Sequence, residues 1–115
     1  MTAIMMFLPP RGGFAANVNV QTQYYAGNMN SYIDQSVQEI ERMGWTIDTV
    51  INTGSSATIE YHGKSGGRDL YWYARVLSQG KTFYLVTATG LASRWEQDKD
   101  QLIESVDSFS LIDSE

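Results

Sequence analysis

The one histidine of the chain, His62, lies in Glu60-Tyr61-His62-Gly63-Lys64, two residues from an acid and two from a base. On an extended backbone residues i and i+2 share a face, so a Glu60–His62 pair is geometrically possible. Beside Gly63 the simpler expectation is a solvent-exposed histidine at a strand end. The carboxylates of Asp98, Asp100, Glu104 and Asp107 crowd one segment. The pairs Asp100/Glu104 and Glu104/Asp107 are spaced to share a helix face, which would attract a hard cation. Without a D-x-D-x-D-G loop they read instead as a solvated face.

Gly63-Lys64-Ser65-Gly66-Gly67 superficially resembles a phosphate cradle. It lacks the G-x-x-x-x-G-K-[ST] spacing and leads into a strand, not a helix N-terminus, so a hairpin loop is expected. Ser55-Ser56 has no G-x-S-x-G elbow, and one histidine makes a triad improbable. Nothing here assembles an acid–base pair, a nucleophile, a metal set or a cofactor cradle. The expectation is a protein that is not an enzyme and uses no cofactor.

The remaining chemistry is aromatic. Residues 68–90, RDLYWYARVLSQGKTFYLVTATG, read as a β-hairpin with bulky side chains on both faces. A two-residue turn at Gln79-Gly80 would set Val76 opposite Phe83, Ala74 opposite Leu85 and Trp72 opposite Thr87. Leu70, Trp72, Ala74, Val76, Phe83 and Leu85 then make one face, of core type. Tyr71, Tyr73, Arg75 and Tyr84 fall on the other, an aromatic face with polar tips. Arg75 over the Tyr84 ring would contribute about 0.5–1 kcal/mol. Either a helix or loop of this chain covers the second face in a three-layer sandwich, or it stays open as a binding surface.

The elements that must position these residues follow from periodicity. Ile4–Leu8 is a strand stopped by Pro9-Pro10. In Phe14–Tyr25, Phe14, Ala16, Val18 and Val20 alternate with polar, amide-rich positions, the pattern of a half-buried strand. From Asn28 to Met43 the period becomes helical, with Met29, Tyr32, Ile33, Val37, Ile40 and Met43 in one stripe, an Asn28 cap and Gly44 at the C-terminal stop. Met5, Met6, Met29 and Met43 read as core fillers. Strands at Trp45–Ile51 and Ala57–His62 precede the hairpin. Ser93-Arg94-Trp95-Glu96 is a capping-box pattern opening a second helix with Trp95, Leu102, Ile103 and Val106 inward. Phe109–Ile112 is expected to close the chain as a short strand. Hairpins dominate and helices do not alternate with strands, which indicates one α+β domain over 1–115 with a mainly antiparallel central sheet and two helices.

Composition narrows the function classes. The 115 residues carry 8 Lys+Arg against 13 Asp+Glu, a net charge of −5, with no basic run, so nucleic acid is a poor partner. There is no cysteine, which removes disulfides, thiolate metal sites and Cys nucleophiles. The longest apolar run near the start, Ala3–Leu8, is too short for a membrane span and lacks a basic leader. A leader ahead of Met1 would place the protein in a bacterial envelope or periplasm, and its absence in the cytoplasm.

Three stretches together are similar to the DcrB-like and PsbP-like domains of the Mog-type superfamily: GFAANVNVQTQYYAGNMNSYIDQSVQEIERMGW, then ATIEYHGKSGGRDLYWYARVLSQGKTFYLVTATG, then VDSFSL. The resemblance is one of pattern over roughly residues 13–112. It implies an α/β/α sandwich of the PsbP-like type and a non-catalytic accessory or binding role. Members serve as lipoproteins or periplasmic factors, subunits of photosynthetic complexes, binders of a small GTPase or chaperones of secreted toxins. The family often has a further N-terminal strand pair. If such a strand is missing, the edge near Ile4–Leu8 lies open to another chain.

Three functional readings follow. A protein partner would dock on Tyr71, Tyr73, Arg75 and Tyr84, residue types that carry interface energy. A small apolar ligand would sit between helix and sheet against Trp45, Trp72 and Phe83. A homodimer would form through the Ile4–Leu8 edge or the aromatic face.

Overall fold

The computed structural model describes residues 2–10 and 13–111. Six strands form one antiparallel sheet: β1 (Thr2–Phe7), β2 (Asn17–Tyr24), β3 (Thr46–Asn52), β4 (Ser56–Ser65), β5 (Arg68–Gln79) and β6 (Thr82–Leu91). Their order across the sheet is β1-β2-β6-β5-β4-β3, so β1 and β3 are its edges. Helix α1 (Met29–Arg42) packs on one face and α2 (Trp95–Ser108) on the other. The architecture is the expected α+β, α/β/α sandwich, and each face has its own core.

Under α1 the core gathers Met29, Tyr32, Ile33 and Ile40 of the helix with Ala57, Ile59, Val76 and Phe83 of the sheet. Under α2 it gathers Trp95, Leu102 and Val106 with Ala16, Val18, Val20, Val86 and Ala88. The period-2 alternation thus feeds two helices rather than one helix layer and water. Leu102, Val106, Val18, Val76 and Val86 are fully buried. Helix α1 begins as the pattern expects: Asn28 Oδ1 accepts from the Ser31 backbone N–H at 2.9 Å, and Ser31 Oγ accepts from the Asn28 N–H at 3.2 Å. Gly44 ends it at φ +85°, a left-handed conformation that glycine adopts freely.

Several expectations need correction. The hairpin register is Gln79↔Thr82, Val76↔Leu85, Ala74↔Thr87 and Trp72↔Thr89, two residues away from the expected pairing. The turn is Gly80-Lys81, with positive φ at Gly80 alone, as in a type II′ turn. A shift of two leaves every side chain on its expected face. The Ser93–Glu96 box does not form, because Ala92–Arg94 tighten into a 3₁₀ turn and α2 starts from Arg94 with no side-chain cap. Beyond Ser108 the chain turns extended at Phe109 yet joins no strand through Leu111; Ile112 lies outside the described residues. Met43 is 63% exposed and fills no core, whereas Met29 does; the side chains of Met5 and Met6 lie outside those described.

Candidate functional site

The four residues of the aromatic face are half-buried, and their cover is largely internal. The Tyr71 ring lies between Trp95 of α2, stacked at 4.5 Å, and His62 at 6.1 Å. Its hydroxyl donates to Glu60 Oε1 at 3.5 Å. Tyr73 donates to Asp107 Oδ1 at 3.1 Å. Arg75 reaches past the end of α2, donating to the backbone oxygens of Phe109 at 3.0 Å and Asp107 at 3.5 Å. Those carbonyls, and not the Tyr84 ring, are what it engages, since a helix C-terminus concentrates unsatisfied acceptors. Tyr84 packs against Phe109 at 5.9 Å. The described residues place one cation over a ring, Arg68 above Phe14 at 5.9 Å. Burial, with the nearby Glu60 and Asp48 carboxylates, pushes the Tyr71 phenol up to about 12.

His62 lies within β4 and not at a turn as expected, paired with Thr46 on one side and Tyr71 on the other. Its Nδ1 lies 2.7 Å from Asp48 Oδ2, and Tyr71 flanks its ring. The local Glu60–His62 spacing gave no signal for this, because Asp48 arrives from the neighbouring strand. The acidic residues of α2 divide among separate tasks: Asp98 pairs with Arg94 at 3.6 Å, Glu96 with Lys99 at 2.7 Å, and Asp107 accepts from Tyr73. Of the expected 63–67 loop, Gly63–Ser65 continue β4, and the hairpin turn is Gly66-Gly67 alone, with positive φ at both residues, as a type I′ turn requires.

The concave site lies on the opposite face. Helix α1 packs over β3 and β4, which leaves the β2 side of that face uncovered. Val18 and Val20 point to α2, so the alternate residues Gln21 and Gln23 turn toward α1. Between them runs a groove of about 420 Å³, within the range typical of ligand sites. One wall is a helical stripe of α1, Tyr32, Gln35, Ser36, Glu39 and Ile40, continued by Met43 just past its end. The other is Gln21 and Gln23, the floor is Leu85, Ala74 and Ile59, and Tyr25 and the Trp45–Tyr61 pair complete the lining.

Its aromatic walls are locked. Tyr32 stacks on Phe83 at 4.7 Å and donates its hydroxyl to Gln23 Oε1 at 2.7 Å, tying α1 to β2. Trp45 packs at 4.5 Å from Trp72 and donates Nε1–H to the Lys64 backbone oxygen at 2.9 Å. Tyr61 stacks on Trp72 at 4.9 Å, and burial pushes its phenol up to about 12. Of the expected pocket residues Trp45 lines the groove. Trp72 and Phe83, 7% and 2% exposed, support its walls from beneath and do not line it. The amide and helical residues of the lining were missed, although the amide run of β2 was visible as an uncharged polar face.

No protein-family model matches the chain, and no curated protein matches it in sequence. Its fold is shared with solved structures. PA94 from Pseudomonas aeruginosa, a protein of unknown function, superposes with a TM-score of 0.83 at 13% identity, over 99% of this chain and 85% of that one. The cyanobacterial PsbP (CyanoP) from Synechocystis sp. PCC 6803 superposes with a TM-score of 0.59 at 13% identity, over 84% and 68%. At such identities the likeness speaks for the fold alone: the chain has a PsbP-like fold.

Proposed function

We propose that this chain is a non-catalytic binding domain of the DcrB-like and PsbP-like kind, and that its ligand seat is the groove between α1 and β2. The observation that carries this is the groove itself: a concavity of about 420 Å³ whose walls combine stacked aromatics with glutamine amides. Fixed walls let a ligand bind without ordering the site first. The face of Tyr71, Tyr73, Arg75 and Tyr84 is the weaker docking site for a protein, because α2 and its C-terminal segment already engage those side chains.

Filling the groove tests the reading. Ser36→Trp places a large ring in the groove from the solvent-facing edge of α1. The unmodified chain should be stabilised in a thermal-shift screen by one chemical class, and the filled variant, with unchanged circular dichroism, should lose that response. Equal stabilisation of both proteins would remove the groove from consideration.

Self-association is a second reading, supported by the sheet edge. Val50 and Ile51 of β3 are 42% and 54% exposed on a strand with one free side, and exposed edges invite pairing. The β1 edge is the alternative. Mass measured across a dilution series tests it: a mass that stays monomeric at the highest concentration rules the dimer out.

A further inference from the structure

The groove carries one ionised side chain among its described lining residues, the Glu39 carboxylate, and no Lys, Arg or His. No ion pair to Glu39 forms among the described residues, so the carboxylate is unneutralised. Glu39 acts on its surroundings: it adds to burial in raising the Tyr32 phenol. An anionic ligand would find no counter-charge here and a carboxylate against it. The whole chain, at −5, repels the same ligands and attracts basic ones.

The shape restricts the ligand further. From Tyr32 to Met43, the cap of α1, the wall rises by eleven residues, roughly 16 Å at 1.5 Å per residue. About five residues of extended chain span that length at ~3.3 Å each, and a small amine does not. Opposite stand Gln21 and Gln23, whose amides can bond a backbone N–H or C=O. Gln23 Oε1 is taken by Tyr32, so its side-chain N–H groups are the donors left for a ligand.

From this charge and shape, and resting on the reading of the groove as the ligand seat, we infer that it takes an extended basic segment of a partner protein, with a lysine or arginine side chain set against Glu39. The backbone of the segment lies along Gln21 and Gln23, and the cation at Glu39 selects basic sequences over acidic ones.

The test uses the full chain and three short capped peptides: lysine–serine, glutamine–serine and glutamate–serine. Amide chemical shifts locate each peptide. The lysine peptide should move Gln21, Gln23, Gln35, Ser36 and Glu39 and weaken with added salt, and the glutamate peptide should move none of them. Glu39→Gln should weaken the lysine peptide about two- to fivefold, the range of one solvent-exposed ion pair. Glu104→Gln, which removes the same charge from the exposed face of α2, should leave binding nearly unchanged. Equal loss in both variants, or equal binding of the glutamine peptide, overturns the basic ligand while shifts in the groove keep the seat intact. If no peptide moves these amides, the basic segment is refuted; the seat falls with it only if the Ser36→Trp comparison also finds no ligand.

Discussion

Asp48 Oδ2 lies 2.7 Å from His62 Nδ1 across two strands that the sequence separates by 14 positions. The β3–β4 register slips between Ile47 and Thr49, leaving Asp48 as the extra residue of a bulge. In unbroken register Asp48 would face Glu60, a like charge; the bulge sets Thr49 opposite Glu60 instead. Both side chains keep water contact, His62 45% and Asp48 31% exposed. A double-mutant cycle of Asp48→Ala and His62→Ala should therefore give a coupling below ~1 kcal/mol in denaturant melts. A coupling several times larger would mean the pair is far better sheltered than its exposure indicates.

Gly63 is required by close approach. A Cβ there would collide with Trp45 Cδ1, because the indole lies directly over the glycine. Gly63→Ala should push Trp45 off its stack with Tyr61 and Trp72 and lower stability by about 1–3 kcal/mol. Tryptophan fluorescence should shift in the folded protein, because Trp45 lines the groove. The same variant should weaken any groove ligand.

Arg75 secures the end of α2. Arg75→Ala removes its bonds to the Phe109 and Asp107 carbonyls and should cost about 1–3 kcal/mol, read from the denaturation midpoint. Hydrogen exchange should rise first in the last turn of α2. By comparison Leu102→Ala, in a fully buried position, should cost about 2–5 kcal/mol.

Alkaline pH should unfold the domain through its buried phenols. Tyr61 titrates near 12 in the folded chain against 10.0 ordinarily, through burial. A group held neutral by folding binds more protons folded than unfolded between those values, so its contribution is complete below pH 10 and is lost as pH climbs toward 12. Tyr61→Phe should flatten that part of the profile of melting temperature against pH. The remaining slope belongs to Tyr71, also near 12, and to Tyr32 and Tyr73, both raised by burial. A profile unchanged by the substitution would show that Tyr61 is not the buried phenol responsible.

Local signals carried far along this chain. Asn28 and Gly44 mark both ends of α1 because capping and left-handed backbone are short-range effects, and the stripe through Tyr32 and Ile40 follows from helical period. The two faces of β5 and β6 follow from period 2, which is also why alternation missed the register. A slip of two preserves both faces, and the pairing of Gln79 with Thr82 is what distinguishes the two registers. The tertiary structure alone decided which helix covers which face. It brought Asp48 to His62 from another strand and turned Arg75 from the Tyr84 ring to the end of α2. It also set α1 over β3 and β4, so that Gln21 and Gln23 remain beside a groove. Capping and periodicity act within a few residues; where a helix comes to rest on a sheet depends on packing between segments far apart in the chain, and the site lies in the space that packing leaves.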